Sequence, residues 1–295
     1  MGIDPAALRD IVRRALEEDR AFDDITTNAI VPADARGTAR LIARERCVVA
    51  GLDAFEGCFT ELDQAVVVKR LVPDGEEARR KGVTVARVSG SLRAILSAER
   101  TALNFVQRLS GIATLTRRFV EVAEAAGDSN LRAPAVRIKD TRKTTPLLRD
   151  LEKAAVVAGG GTNHRRDLGA AYLIKDNHIA VAGSLTEAVH RAYDAERGKD
   201  KGIQHFEVEC ETLEDVRAAL DARAEELLLD NMDIETLAKA VRMVKEQGGP
   251  LTEASGGVTL GNVADIAKTG VDSISVGALT HSARAIDLSL EVESG

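Results

Sequence analysis

The segment Asp140-Thr141-Arg142-Lys143-Thr144-Thr145-Pro146 sets two adjacent cations among three hydroxyls and ends on a rigid proline. Arginine grips a carboxylate or phosphate with a planar fork and lysine adds a point charge, so such a loop suits an anion. Downstream, Gly159, Gly160 and Gly161 precede His164 and Arg165, and Lys175 follows His164 by eleven residues. Three glycines either let backbone N–H groups approach an anion or make a tight turn. The run is neither a P-loop nor a dinucleotide fingerprint, because no Gly-Lys-Ser/Thr closes it and the GxGxxG spacing is missing. Lys175 is a candidate charge clamp or, with neighbouring cations to keep its amine neutral, an imine-forming nucleophile. Glu209 and Asp230 form an acidic pair suited to magnesium held together with substrate phosphates, or to positive charge developing on a sugar ring. Glu207 and Glu211 read as ordinary alternates on the same strand, and His178 as a structural residue closing a turn. Ser255, Gly256 and Gly257, and later Gly277 and Ala278, precede helix starts, where backbone amides favour phosphate; His281 is a further candidate there. Arg100, Asn104 and Gln107 make a polar stripe on a long helix, either solvated or crossing a subunit interface.

These residues recur at a regular phase. From Lys175 to Glu209, Asp230, Glu253 and Val276 the steps are 34, 21, 23 and 23 residues, each position ending a short apolar run. Amphipathic stretches such as TLEDVRAALDARA and DIETLAKAVRMVKEQ lie between them. That alternation predicts a parallel sheet with helical crossovers, closed as a barrel or part of one. Polar groups at the C-terminal strand ends then face one mouth. Helix caps are expected at Ser184, Thr212, Asp233 and Gly261. The first twenty residues read as a helix with Leu8, Ile11, Val12 and Leu16 on one face. Thr38 to about Leu96 reads as short strands, SLRAIL among them, and a helix from about Ser97 to Ala126 leads into a second domain.

The chain has 295 residues, 44% of them hydrophobic, enough for two domains with sizeable cores. Its formal net charge of −7 argues against a general nucleic-acid binder. Between Arg137 and His178, however, nine Lys or Arg face five Asp or Glu, which focuses positive charge as a small-anion site would. No run of 18 apolar residues or secretory leader is present, so a membrane span is not expected. Three scattered cysteines without a CxxC pattern suit a reducing cytoplasm and argue against a disulfide scaffold or zinc site.

Taken together, EDRAFDDITT, ERTALNFVQRLSGIATLTRRF, DTRKTTP, GGGTNHR, LIKDNHI, EVECETLEDV, LLLDNM, EASGGVTLGNV and GVDSISVGALTHS resemble the quinolinate phosphoribosyltransferases (carboxylating nicotinate-nucleotide pyrophosphorylases) over nearly the whole chain. The resemblance implies an α/β fold, with an N-terminal α/β sandwich domain over residues 1–114 and an open, incomplete α/β barrel over 115–279, residues 280–295 packing back on the first. It implies an enzyme of de novo NAD biosynthesis that joins quinolinate to 5-phosphoribosyl-1-pyrophosphate, giving nicotinate mononucleotide, pyrophosphate and carbon dioxide. By matching motifs, Thr141, Arg142, His164, Arg165 and Lys175 hold quinolinate, and Lys143 stands near the phosphoribosyl donor. Glu209 and Asp230 stand beside the ribose and magnesium, which they hold directly or through water and substrate. Ser255, Gly256, Gly257, Gly277, Ala278 and His281 cradle the 5′-phosphate. The resemblance also implies a homodimer, open to higher assembly, in which Arg100 enters the partner's site. Other readings are a phosphoribosyltransferase of different specificity such as nicotinate, a Schiff-base aldolase, and a non-catalytic anion-binding paralogue linked to molybdate transport. This chain departs from the family pattern in an insertion around GDSNLRAPAVRIK and in Leu147, where glycine is usual.

Overall fold

A computed structural model describes residues 3–126, 136–197 and 205–293, so most of the insertion, residues 127–135, lies outside the described residues. The strands are β1 (Arg36–Ala43), β2 (Cys47–Val48), β3 (Val67–Arg70), β4 (Glu77–Ala78), β5 (Val83–Ser91), β6 (Arg137–Lys139), β7 (Tyr172–Ile174), β8 (Phe206–Cys210), β9 (Glu226–Asp230), β10 (Leu251–Ser255), β11 (Ser273–Ser275) and β12 (Leu288–Val292). The helices are α1 (Pro5–Glu18), α2 (Ile25–Ile30), α3 (Leu52–Leu62), α4 (Leu92–Ala126), α5 (Arg149–Ala158), α6 (Asp176–Ala182), α7 (Leu185–Glu196), α8 (Leu213–Asp221), α9 (Ile234–Glu246), α10 (Val263–Lys268) and α11 (Ala278–His281). Two compact units result, one of Met1–Arg117, Thr144–Gly161 and Leu279–Gly295, the other of Arg118–Lys143 and Thr162–Ala278.

The first unit is built on an antiparallel sheet in the order β12-β1-β5-β3, with β12 returning from the end of the chain to pair with β1. Helix α1 starts where the Asp4 carboxylate accepts the Ala6 amide and Pro5 presets the first turn. Its Val12 and Leu16 are buried, as are Phe55 and Phe59 of α3. Helix α3 falls where only strands are expected from the sequence. Its cap comes from far away: Asp74 accepts the Gly51 and Leu52 amides, so no local cap announces it. SLRAIL is likewise not a strand, because β5 ends at Ser91 and α4 begins at once with Leu92. The triple glycine ends α5. The amides of Gly159, Gly160 and Gly161 donate to Ala155, Val157 and Val156, so the tight turn, rather than an anion, uses them.

The second unit is a six-stranded, wholly parallel sheet in the order β6-β11-β10-β9-β8-β7, with β6 and β7 at its two edges. Ser184, Thr212 and Asp233 cap α7, α8 and α9 through their side chains. Gly261 does not cap α10; Asn262 takes that place, with its Oδ1 accepting the Thr259 amide. Along the strands, Ile138, Val208, Leu227, Leu229, Ala254 and Ile274 are buried and apolar, while alternate positions carry Lys139, Glu207, Glu209, Glu226 and Glu253.

That charged face is the inside of a curled sheet. Lys139 of β6 binds both Glu226 of β9, at 2.8 Å, and Glu253 of β10. His164, beside β6, stands 2.9 Å from Glu207 of β8. Four strand spacings separate β6 from β8, about 19 Å in a flat sheet, which side chains of this length do not span. The strands therefore wrap into an open barrel lined with polar groups. Among the described residues, no helix is long and apolar enough to cross a membrane.

Candidate active site

Each strand of the barrel delivers a candidate group at or just beyond its C-terminal end. Thr141, Arg142 and Lys143 follow β6, and Lys175 follows β7 directly. Glu209 is the penultimate residue of β8, and Asp230 and Ser255 end β9 and β10. Gly256 and Gly257 follow at once, and Gly277 and Ala278 come just after β11. Parallel strands put all of these at one mouth. His164 and Arg165 arrive by another route. Thr162 bridges in parallel to Lys139, so the chain runs beside β6 and emerges at the same end two residues later.

Arg100 and His281 belong to the first unit. Arg100 is exposed on α4, and His281 Nδ1 lies 2.6 Å from the Ser282 hydroxyl. Asn104 is exposed on the same helix. Gln107 serves the fold, since its side-chain amide donates to the Leu288 carbonyl at 2.7 Å and so holds the chain's return segment.

At the mouth, Lys175 Nζ is ion-paired with the carboxylate of Glu209. An imine-forming lysine kept neutral by adjacent cations would need the opposite surroundings. His178 serves the turn: its Nδ1 accepts the Lys175 amide at 2.9 Å and closes the first turn of α6. Carboxylate oxygens of Glu209, Glu211 and Asp230 lie within 4.8 Å of one another. Glu211, taken from the sequence as an ordinary alternate, therefore joins the acidic pair; its place two residues after Glu209 was the available signal. Asn231 donates to Asp230 Oδ2 at 2.6 Å, and its own amide bonds the Ser255 carbonyl. Gly256 packs against Asn231 with φ of +90°, and a Cβ there would come 2.1 Å from Asn231 Oδ1. Only glycine allows the Ser255–Gly257 turn to sit so near the acidic pair.

The cationic side of the mouth is crowded. Arg165 is half-buried and donates through Nη1 to the Ala171 carbonyl at 2.9 Å. Its Nε is buried without a partner among the described residues. Burial, and next the charge of Arg142, push the Arg165 guanidinium below the ordinary arginine range. Two cations held this near each other, one with an unsatisfied buried donor, create a strong preference for an anion.

Beneath them lies a network that the sequence alone did not disclose. Glu207, expected to be an unremarkable alternate, is 1% exposed and Glu253 is fully buried. Burial, reinforced by the negative charge of Glu207, raises the Glu253 carboxyl. Burial also opposes ionisation of Glu226, but hydrogen bonds from His205 and Lys139 outweigh it and hold that carboxyl at about 2. The resemblance places His164 among the carboxylate ligands. In the structure its Nδ1 accepts the Arg165 amide at 2.7 Å and its Nε2 faces Glu207.

Comparison with known proteins identifies the family. Residues 24–110 match the family described as quinolinate phosphoribosyl transferase, N-terminal domain, and residues 112–291 match its C-terminal domain. The chain belongs to the quinolinate phosphoribosyltransferase family. One family member, the probable nicotinate-nucleotide pyrophosphorylase [carboxylating] of Methanocaldococcus jannaschii, is 40% identical over 96% of each chain. The mitochondrial quinolinate phosphoribosyltransferase [decarboxylating] 2b of Nicotiana tabacum is 40% identical over 97% of this chain and 82% of its own. Among solved structures of the family, the nicotinate-nucleotide pyrophosphorylase of Francisella tularensis superposes with a TM-score of 0.89 at 37% identity, covering 99% of this chain and 98% of that one. The same two-part α/β architecture is therefore present throughout.

Proposed function

We propose that the barrel mouth joins quinolinate to 5-phosphoribosyl-1-pyrophosphate and releases pyrophosphate and carbon dioxide, the decarboxylating phosphoribosyl transfer that yields nicotinate mononucleotide for NAD biosynthesis. The observation that carries it is the crowding of Arg142 and Arg165, with a buried donor unsatisfied, on the same rim as the Glu209–Asp230 pair. A dianionic pyridine and a phosphorylated sugar are what such a two-sided rim accommodates.

Arg142, Arg165 and Lys175, with Thr141 beside them, hold the two ring carboxylates and orient the ring nitrogen toward C1′. Lys143, exposed at the loop tip, faces the donor's phosphates. The amides of Ser255, Gly256 and Gly257, with Gly277 and Ala278, hold the 5′-phosphate. As pyrophosphate leaves, positive charge grows on the ribose, and Glu209 and Asp230 stabilise it. The ring nitrogen forms the bond to C1′ while the C1′–oxygen bond breaks. Once quaternised, that nitrogen accommodates the electron pair left on C2 when the 2-carboxylate departs as carbon dioxide. A proton then replaces it.

The converging oxygens of Glu209, Glu211 and Asp230 fit a hard divalent cation. They are the residues that would hold magnesium, which when bound neutralises charge on the departing pyrophosphate. Arg100, exposed on α4, serves the site of a second copy in a homodimer. The three cysteines are buried and form no disulfide, as suits a cytoplasmic chain.

The test is direct. Purified protein with quinolinate, the ribosyl donor and magnesium should release one carbon dioxide per nucleotide formed. Retention of the 2-carboxylate in the product, or equal use of nicotinate as acceptor, would refute the assignment.

A further inference from the structure

His164 is held on three sides. Its amide donates to the fully buried Asp140 at 2.9 Å. Its Nδ1 accepts the Arg165 amide at 2.7 Å, and its Nε2 stands 2.9 Å from Glu207 Oε2 and 3.6 Å from Glu253 Oε1. A backbone N–H can only donate, so Nδ1 is bare and the imidazole proton sits on Nε2. That proton excludes the obvious alternative, a metal ion among His164, Glu207 and Glu253, because Nε2 has no lone pair to offer. It points at Glu207, a buried carboxylate that does not reach the mouth itself. Two residues further along β8, Glu209 does reach it.

We propose that Glu207 is a positioning residue for substrate binding: by accepting the Nε2 proton it fixes the tautomer of His164, whose Nδ1 then holds the Arg165 amide and so sets where the Arg165 guanidinium stands. This rests on the reading of Arg165 as a ligand of a quinolinate carboxylate. Asp140 after β6 and Glu207 on β8 thus clamp one short loop from opposite walls of the barrel. The remaining oxygens of Glu207 and Glu253 are buried and carry no hydrogen bond from a donor among the described residues. Burial, and next the charge of Glu207, raise the Glu253 carboxyl. Lys139, bound to Glu253 and Glu226, balances the cluster from the opposite side.

Two measurements decide it. Ring-nitrogen NMR of histidine-labelled protein without substrate should show His164 as the Nε2–H tautomer; an Nδ1–H imidazole overturns the proposal, whatever the enzyme's activity. Kinetically, Glu207→Ala should raise KM for quinolinate ten- to a hundredfold, as expected for a displaced ligand. KM for the ribosyl donor and kcat should change by less than about threefold. Glu207→Gln, which keeps an acceptor oxygen, should restore most of the quinolinate affinity. Equal effects on both substrates, or a fall in kcat alone, would show Glu207 to be merely structural. If Glu207→Ala does not fold, the wild-type tautomer and the Gln variant still decide. Failure of wild-type protein to use quinolinate would remove the assigned reaction but leave the tautomer result standing.

Discussion

Lys175, directly after β7, and Glu209, on the neighbouring β8, are each other's counter-ion at the mouth. Glu209 is 7% exposed at its side chain and Lys175 43%, so the lysine is the member that can turn toward an arriving anion. A quinolinate carboxylate can recruit Lys175 and leave Glu209 to the sugar. Replacing Lys175 by Met should lower kcat/KM for quinolinate by roughly 10²-fold or more, the scale of a lost charge-assisted hydrogen bond of about 3 kcal/mol. Borohydride added during turnover should trap no adduct on Lys175; a trapped adduct would mean imine chemistry.

Arg165 and Arg142 differ from the acidic pair in which substrate they govern. Arg165→Lys keeps the charge but loses the fork, and should raise KM for quinolinate about tenfold while KM for the ribosyl donor stays within twofold. Asp230→Asn should do the reverse, lowering kcat and raising the magnesium requirement. Steady-state kinetics with each substrate varied in turn separates these outcomes.

The His205–Glu226 pair makes a pH prediction. Glu226 is depressed from 4.5 to about 2, so its contribution is full above about 4.5 and is lost as pH falls toward 2. His205 is raised above 6.5, chiefly by the hydrogen bond to Glu226, so its contribution is full below 6.5 and is lost as pH rises through its folded value. The stability difference between wild type and His205→Asn should therefore be greatest between pH 4.5 and 6.5 and shrink on both sides. Urea midpoints measured across that range test it, and a flat difference would contradict it.

Two backbone positions should respond oppositely. Leu147 has φ of +68° and is exposed, where the family pattern has glycine. A left-handed non-glycine residue costs about 1–2 kcal/mol, and the added freedom of glycine in the unfolded chain returns about 0.4–1 kcal/mol. Leu147→Gly should therefore be stabilising by up to about 1.6 kcal/mol and raise Tm by a few degrees at most. Gly256→Ala should destabilise and weaken donor binding, because its Cβ meets both the Asn231 side chain and, at 2.8 Å, the Asn231 amide.

The phase of the second half was legible because each strand lies in a short apolar run that ends at a polar or glycine residue. The expected runs around VRIKD, AYLIKD, HFEVEC, ELLLDN, LTEASGG and SISVGA each contain a strand. Helix α3 was not legible, since its cap, Asp74, lies 22 residues away from Leu52. Glu207, Glu226 and Glu253 were not legible either. A glutamate on a strand looks solvated until the sheet curls and brings Lys139 and His164 against it. The rim residues follow from local order along the chain, whereas the network behind them exists only once distant strands meet.

A shared site across a homodimer has its own test. Arg100→Ala and Lys175→Ala chains, each nearly inactive alone, should regain up to a quarter of wild-type activity when exchanged into heterodimers, through one intact site per pair. No recovery with subunit exchange shown by mass spectrometry would place Arg100 outside the site.

The most direct measurement is a crystal structure with phthalate, which carries quinolinate's two adjacent carboxylates on a ring without the nitrogen. The geometry predicts its carboxylates within hydrogen-bonding distance of Arg142, Arg165 and Lys175, with the ring edge toward Glu209 and Asp230. Phthalate bound away from the barrel mouth, or with its carboxylates turned from those three cations, would contradict the account.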